Sequence, residues 1–330
     1  MNLVTGATGH IGNVLVKELV KRGEAVRVFL LPGEDLEPIK GLDIEIFYGN
    51  VLDVPSLEKA FNGVTNVFHL AGIISIAPGK ENLIHQVNVE GTQNIMNVAL
   101  RFGVQRFVYT SSIHAFKRIP HGNAIDENTP IDPASAIAAY DQSKAEATLA
   151  VLEMVKKGLP AVIVCPTGVI GPCDYKKSEM GSVMCGWMSK RVNYMIDGSY
   201  DFVDVRDVVD GVIMARDKGE VGQLYILSGH LISVVRLWSM VKEFVSPRAV
   251  HINIPVRMAK LAAIFAEQFY NLTHSIPKFT RYSVETLQSN AVINNSKSQQ
   301  ALGYRVRPIK ETLLDTIDWW KHTPAFSRGK

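Results

Sequence analysis

The sequence predicts an α/β protein, a doubly wound parallel sheet with a smaller, mostly helical cap. Three observations carry that prediction. A glycine-rich turn, Thr5-Gly6-Ala7-Thr8-Gly9-His10-Ile11-Gly12, lies between a short apolar run and a helical pattern. Short β-rich runs then alternate with helix-length segments, which implies parallel strands covered on both faces. Beyond about Ser233 the patterns are helical, with an amphipathic stretch Ile309–His322 near the end.

In order, Asn2–Val4, Ala25–Leu31, Ile44–Tyr48, Asn66–Leu70, Arg106–Thr110, Ala161–Cys165 and Gln223–Leu227 read as strands. Val26-Arg27-Val28-Phe29-Leu30-Leu31 has the near-continuous apolarity of a strand buried on both sides. Ile11, Val14, Leu15, Leu19 and Val20 recur with helical spacing up to a stop at Gly23. Further helices are expected near Pro55–Asn62, Glu81–Phe102 and Tyr140–Lys157, the last two followed by Gly103 and Gly158. After Gly171-Pro172 the pattern is irregular until a helical stretch opens at Asp204. The division this suggests is a dinucleotide-binding part over residues 1–170, rejoined by about 202–230, and a substrate-binding cap over 171–201 and 231–330.

Each glycine of the turn has a physical task. Gly6 permits a tight turn, Gly9 removes a side chain that would meet a phosphate, and Gly12 lets the helix pack closely. The helix that follows offers unpaired N–H groups and a partial positive charge to an anion. With the first strand starting at Asn2, no leading signal or transit segment is expected.

The 330 residues carry a net charge of +3, with 47% hydrophobic and 20% charged residues. That is the composition of an ordinary globular protein, and the scattered basic residues provide no stripe for nucleic acid. Cys165, Cys173 and Cys185 form no CxxC pair and have no histidine at ligand spacing, so no metal site is expected and a reducing cytoplasm fits. Ile254–Leu272 is apolar but is interrupted by Arg257, Lys260 and Glu267. Its Met258, Leu261, Ala262, Ile264, Phe265 and Phe269 suit a helix packed in the cap or against a partner, without membrane insertion.

Tyr140 and Lys144 stand four residues apart, hence on one face of a helix. A lysine cation there is expected to lower the pKa of the phenol toward neutrality, suiting it for proton transfer at a carbonyl or hydroxyl carbon. Alone the pair reads equally as a helix-surface pair. Ser112 strengthens the reading, because Tyr109-Thr110-Ser111-Ser112 ends a strand and ligands of such sheets bind beyond the strands' carboxyl ends.

With these residues in hand, the chain resembles the extended short-chain dehydrogenases/reductases, which have a Rossmann sheet and include dihydroflavonol 4-reductase-like enzymes, 3β-hydroxysteroid dehydrogenases and sugar-nucleotide epimerases and dehydratases. The resemblance covers nearly the whole chain. It rests on TGATGHIG at Thr5–Gly12, Gly49–Asp53, His69–Gly72, Asn88–Thr92, the Ser112/Tyr140/Lys144 set, Cys165-Pro166-Thr167 and Phe202–Val208. It implies Tyr140 as the acid/base with Lys144 and Ser112 as helpers, and Asn88 bracing the site. It also implies a nicotinamide dinucleotide on Gly6, Thr8, Gly9, His10, Ile11 and Gly12. Asp53 and Val54 would border the adenine, with Asp53 free to cap the helix at Pro55 as well. Leu70, Ala71 and Gly72 would pass beneath the phosphates and ribose. Pro166, Thr167 and Val169 would lie at the nicotinamide carboxamide, and Tyr140 and Lys144 at its ribose.

Two departures stand out. The end of the second strand usually bears an acid for the adenosine ribose or an arginine for a 2′-phosphate, but Leu30 and Leu31 occupy those places. NAD and NADP both stay open, with NAD favoured for want of a base there, unless Arg27, Glu34 or Asp35 reaches in. Cys165 replaces a common arginine and suits core packing.

Met180, Val183, Met184, Trp187, Met188, Tyr194 and Met195 form a Met- and aromatic-rich stretch that suits either an apolar substrate pocket or the packing of the cap. The expected activity is an NAD(P)-dependent interconversion of a secondary alcohol and a ketone on a small-molecule substrate. An epimerase or dehydratase that retains NAD is the competing class, and a non-catalytic cofactor sensor is a third. A dehydratase would add an acid beside Ser112, where this chain has Ile113 and His114. A homodimer is compatible with the resemblance.

Overall fold

All five residues of the strand Val26–Leu30 are buried, which requires a sheet covered on both faces. The computed structural model describes residues 1–75, 79–120, 122–245, 248–273, 281–289 and 292–323. It begins with β1 (Asn2–Thr5), α1 (His10–Lys21), β2 (Val26–Leu30), β3 (Glu45–Tyr48), α2 (Val54–Ala60) and β4 (Asn66–His69). α3 (Glu81–His85) runs through a π-helical turn, Gln86–Glu90, into α4 (Gly91–Arg101), and β5 (Arg106–Thr110) follows. Next come α5 (Ala139–Lys156), β6 (Ala161–Pro166), β7 (Gly168–Ile170), α6 (Glu179–Ser189), β8 (Val192–Ile196) and β9 (Ser199–Asp204). The remainder is α7 (Val205–Lys218), β10 (Leu224–Leu227), β11 (His230–Ser233), α8 (Val234–Val245), β12 (Val250–Ile254), α9 (Val256–Thr273), α10 (Arg281–Leu287), α11 (Ser296–Leu302) and α12 (Ile309–His322).

Seven strands form one parallel sheet in the order β10–β6–β5–β4–β1–β2–β3. The chain reverses its direction of travel between β1 and β4, the switch point at which doubly wound sheets open a ligand crevice. Register sets Thr5 opposite His69 across that point. One apolar layer, including Leu15, Leu19, Val28, Val208 and Val212, lies under α1 and α7. The other, including Ile95, Phe107, Val151 and Ile163, lies under α4 and α5. Each such side chain contributes about 1.5–3 kcal/mol of burial. Cys165 belongs to the second layer and is fully buried, as its small apolar side chain suggests.

Structure adds strands where the sequence reads as irregular or helical. β11 and β7 flank β9 in a small mixed sheet, and β12 pairs with β8. These strands are short and their partners are distant in sequence, so local periodicity does not mark them. The Met-rich stretch turns out to pack the cap: Met184, Trp187 and Met188 are buried with Trp238, Leu313 and Trp320. Packing of the cap therefore holds for these three, whereas Val183 and Tyr194 of the same stretch are 41% and 68% exposed. Among the described residues of α9, Ala259 and Ala263 are buried, whereas Met258 and Phe265 are 61% and 69% exposed. The side chains of Ile264 and Phe269 lie outside the described residues. Among the described residues no helix is long and apolar enough to cross a membrane.

Candidate active site at the carboxyl ends of the strands

The turn after β1 has room for nothing but glycine at two points. Gly6 has φ +70°, and a Cβ there would stand 2.7 Å from the Ala71 nitrogen. A Cβ at Gly12 would stand 2.1 Å from the Gly6 carbonyl oxygen. The turn thus closes tightly onto α1, whose first-turn N–H groups have no intrahelical partner, the arrangement that suits a pyrophosphate. Gly9 is the N-cap residue of α1.

Across the switch point runs a buried hydrogen-bonded chain. The Thr92 hydroxyl donates to the Asn88 carbonyl oxygen at 2.6 Å. Its oxygen therefore accepts from His69 Nε2 at 2.9 Å, and His69 Nδ1 accepts from the Thr5 hydroxyl at 2.8 Å. Thr5 Oγ1 in turn accepts from the Ala71 N–H at 3.1 Å. Burial holds His69 neutral by pushing its pKa down to about 3, and the Lys144 cation acts in the same direction. The chain fixes Leu70-Ala71-Gly72 against the glycine turn.

Asn88 sits in the π turn between α3 and α4 and faces the same place. Its side chain accepts from the Ile73 N–H at 2.7 Å and donates to the Ile73 oxygen and to Ser143 Oγ at 3.0 and 2.9 Å. A Cβ at Gly72 would be 3.1 Å from Asn88 Oδ1 and 3.8 Å from Lys144 Nζ. Lys144 Nζ donates to the Thr110 carbonyl oxygen at 2.8 Å and stands 5.2 Å from the Tyr109 ring centre. Ser112, two residues beyond β5, hydrogen-bonds Tyr140 and accepts from the His114 N–H at 3.2 Å. Ser112, Tyr140, Lys144 and Asn88 are thus brought to one place, and all four are buried.

The electrostatics differ from the sequence expectation. Burial pushes the Tyr140 phenol up to about 12, outweighing the Ser112 hydrogen bond, and the Asp141 charge adds to the rise. Burial also pushes Lys144 down to about 8. The Lys144 ammonium donates to Thr110 and is not among the causes of the shift, so desolvation rather than the lysine cation dominates the phenol. At neutral pH the site holds a phenol beside an ammonium.

A sequence pattern common to one family, described as the NAD dependent epimerase/dehydratase family, matches residues 2–227. The chain belongs to that family. It is 32% identical over 321 residues to sterol demethylase protein B of Methylococcus capsulatus, covering 97% of this chain and 98% of that protein. It is 27% identical over 362 residues to 3beta-hydroxysteroid-dehydrogenase/decarboxylase isoform 1 of Arabidopsis thaliana, covering 99% and 81%. The crystal structure of gox2253 superposes with a TM-score of 0.84 at 31% identity, covering 97% and 98% of the two chains. The chain is accordingly an enzyme of the extended short-chain dehydrogenase/reductase type, with the Rossmann sheet and nicotinamide cofactor of that family.

Seen as a site of this family, the remaining predicted residues divide. Thr167 Oγ1 donates to Asp201 at 2.6 Å, and Asp201 also accepts from the Gly229 N–H at 2.7 Å, which places Thr167 beside β9. Pro166 ends β6 and Val169 lies in β7. His10 Nε2 donates to the Pro172 oxygen at 3.0 Å. Asp53 occupies the N-cap position of α2, with Val54 next, but the Asp53 side chain makes no capping hydrogen bond, so the expected cap is not formed. Leu30, the last residue of β2, has its side chain 1% exposed in the apolar layer under α1 and α7.

Sequence reading missed a cluster behind Tyr140. Asp141, itself 1% exposed, accepts from the Tyr282 hydroxyl at 2.7 Å and pairs with Arg118 at 3.4 Å. His114 Nδ1 is 3.6 Å from the same carboxylate, and its Nε2 meets the Tyr200 hydroxyl at 2.7 Å. His114, Arg118, Thr167 and Tyr200 line a cavity with the apolar Ile113 and Phe116. Asp141 is adjacent to Tyr140 in sequence, but its partners lie on distant elements and no local signal announces them.

Proposed function

We propose that this enzyme interconverts a secondary alcohol and a ketone, with NAD as the favoured dinucleotide. The observation that carries the reading is the convergence of Tyr140, Ser112 and Lys144 at the ends of β5 and α5, beside a cavity walled by Ile113, Phe116 and Tyr200. When bound, the nicotinamide supplies or takes up the hydride. Tyr140, a phenol at neutral pH, donates its proton to the carbonyl oxygen in reduction and recovers it in oxidation. Ser112 orients that oxygen, while the Lys144 ammonium offsets the phenolate left after transfer. Asn88 holds Ile73 and Ser143 in place and keeps Gly72 close to Lys144. The cofactor fits these residues, since Gly6 and Gly12, where a Cβ would strike backbone, let the turn close tightly onto the start of α1, whose unpaired N–H groups suit a pyrophosphate.

The cap, residues 171–201 and 231–330, closes over the substrate in this reading, while residues 1–170 and about 202–230 hold the dinucleotide. Similarity to a hydroxysteroid-dehydrogenase/decarboxylase, with Ile113, Phe116, Ile119, Ile125 and Ile293 as the apolar part of a mixed cavity wall, favours an apolar ketone over a sugar nucleotide. Absence of an acid at Ile113 and His114 tells against a dehydratase. The test is a panel of steroid, flavonoid-like, small-ketone and sugar-nucleotide substrates with NADH and NADPH. Stoichiometric consumption of reduced cofactor with a ketone supports the reading. Protein that retains NAD through purification and turns over sugar nucleotides without net cofactor consumption would establish the epimerase class instead.

A further inference from the structure

Leu31 is 48% exposed and Leu30 is in the core, so the end of β2 offers the dinucleotide no polar side chain. Of the three nearby charged residues, Arg27 is turned away: it pairs with Glu45 at 2.6 Å and donates to the Ala60 and Asn62 oxygens. Asp35 accepts from the Glu37 N–H at 2.9 Å. Glu34 reaches in. Gly33, at φ +86°, turns the chain back so that the Glu34 N–H donates to the Leu31 oxygen at 3.2 Å. Glu34 Oε1 accepts from the Leu31 N–H at 3.1 Å, and Oε2 accepts from the Thr8 hydroxyl of the glycine turn.

A second charge arrives from the far side of the crevice. The segment 172–177 lies along α1, held where His10 meets the Pro172 oxygen, Asn13 donates to the Cys173 oxygen at 3.0 Å and Lys17 donates to the Tyr175 hydroxyl at 3.4 Å. It delivers Lys176, whose Nζ donates to Thr8 Oγ1 at 2.8 Å and lies 3.4 Å from Glu34 Oε2. The Lys176 side chain is 55% exposed and the Glu34 side chain 22%. Glu34 is therefore held by the Leu31 N–H of its own turn and by the Thr8 hydroxyl of the glycine turn, while Lys176, more than half exposed, is its counter-ion.

We propose that Glu34, in place of a residue at the end of β2, binds the adenosine ribose hydroxyls and rejects a 2′-phosphate, with Lys176 as the latch that neutralises it until the ribose engages. The proposal rests on the reading of this crevice as a dinucleotide site. A dinucleotide fold seats its pyrophosphate on the glycine turn and takes the ribose 2′-hydroxyl with an acid some 20 residues on, which is where Glu34 stands. Its carboxylate keeps lone pairs for the ribose hydroxyls after bonding Leu31 and Thr8. A 2′-phosphate would bring about −1.5 to −2 charges against it. Lys176 can swing to the pyrophosphate once the ribose hydroxyls replace it.

NADH and NADPH titrations of the whole protein without substrate, followed by nicotinamide fluorescence, test this. Wild-type protein should bind NADH about tenfold or more tightly than NADPH. Glu34→Gln and the shorter Glu34→Asp should each bring the two affinities close together, with thermal unfolding confirming that both variants are folded. Lys176→Met should widen the NADH preference by leaving Glu34 uncompensated. Equal affinities in wild type, or a ratio unchanged in both Glu34 variants, overturns the proposal while leaving the dinucleotide site intact. Loss of the NADH preference in Lys176→Met, with both Glu34 variants keeping it, would assign the selection to lysine and also overturn it. If neither nucleotide binds wild type, the dinucleotide reading itself fails.

Discussion

Lys144 Nζ donates to the carbonyl oxygen of Thr110 at 2.8 Å, tying the N-terminal part of the site helix α5 to the last residue of β5. This bond sets where the ammonium stands, and burial sets its pKa at about 8. Ketone reduction should therefore fall as pH rises through about 8, because the charge that stabilises the departing phenolate is lost. Lys144→Arg should move the fall to higher pH; a profile flat to pH 10 in wild type would contradict the assignment. The stability sign is opposite. A depressed lysine pKa means that the unfolded chain binds the extra proton between about 8 and 10.5, so this group makes the fold more stable as pH rises there. Lys144→Met should remove that gain in urea titrations.

Tyr140→Phe keeps the ring in its buried place and removes only the proton donor. Turnover should drop by about 10³-fold or more while NADH affinity stays within about twofold, since general-acid loss acts on the chemical step alone. Single-turnover kinetics would separate the two effects. Unchanged turnover would remove Tyr140 from the mechanism.

His69 is neutral and enclosed between Thr5 and Thr92. Its folded-state pKa of about 3, against 6.5 outside, means that the unfolded chain takes up a proton first as pH falls. Its contribution is whole above pH 6.5 and is lost progressively toward pH 3, amounting to roughly 3 kcal/mol by pH 4. Urea unfolding at pH 7, 5.5 and 4 should show that loss, and His69→Gln should show a shallower one. Parallel pH dependences in the two proteins would exclude His69 as the source.

Asp141, 1% exposed, pairs with Arg118 and accepts from the Tyr282 hydroxyl. Asp141→Asn leaves Arg118 without that partner and should cost about 2–3 kcal/mol, seen as a lower urea midpoint at an unchanged slope. An unchanged midpoint would show that the cluster adds nothing to the fold.

Much of this protein is written in local pattern. The period of Ile11, Leu15 and Leu19, the all-apolar run of β2 and the spacing of Gly6, Gly9 and Gly12 are determined by neighbours within a turn or a strand, so the sheet and the cofactor turn are legible in the sequence. Tyr140 and Lys144 are legible for the same reason, standing one helical turn apart. Tertiary structure alone decided the rest. That Tyr140 is raised rather than lowered depends on how deeply α5 is buried and on Lys144 meeting Thr110 across the sheet. That Leu30 is core while Glu34 meets Thr8 and Lys176 depends on a turn at Gly33 and a segment more than a hundred residues downstream. Periodicity reports which face a residue lies on; burial and long-range partners, which set charge and reach, exist only once the chain has closed on itself.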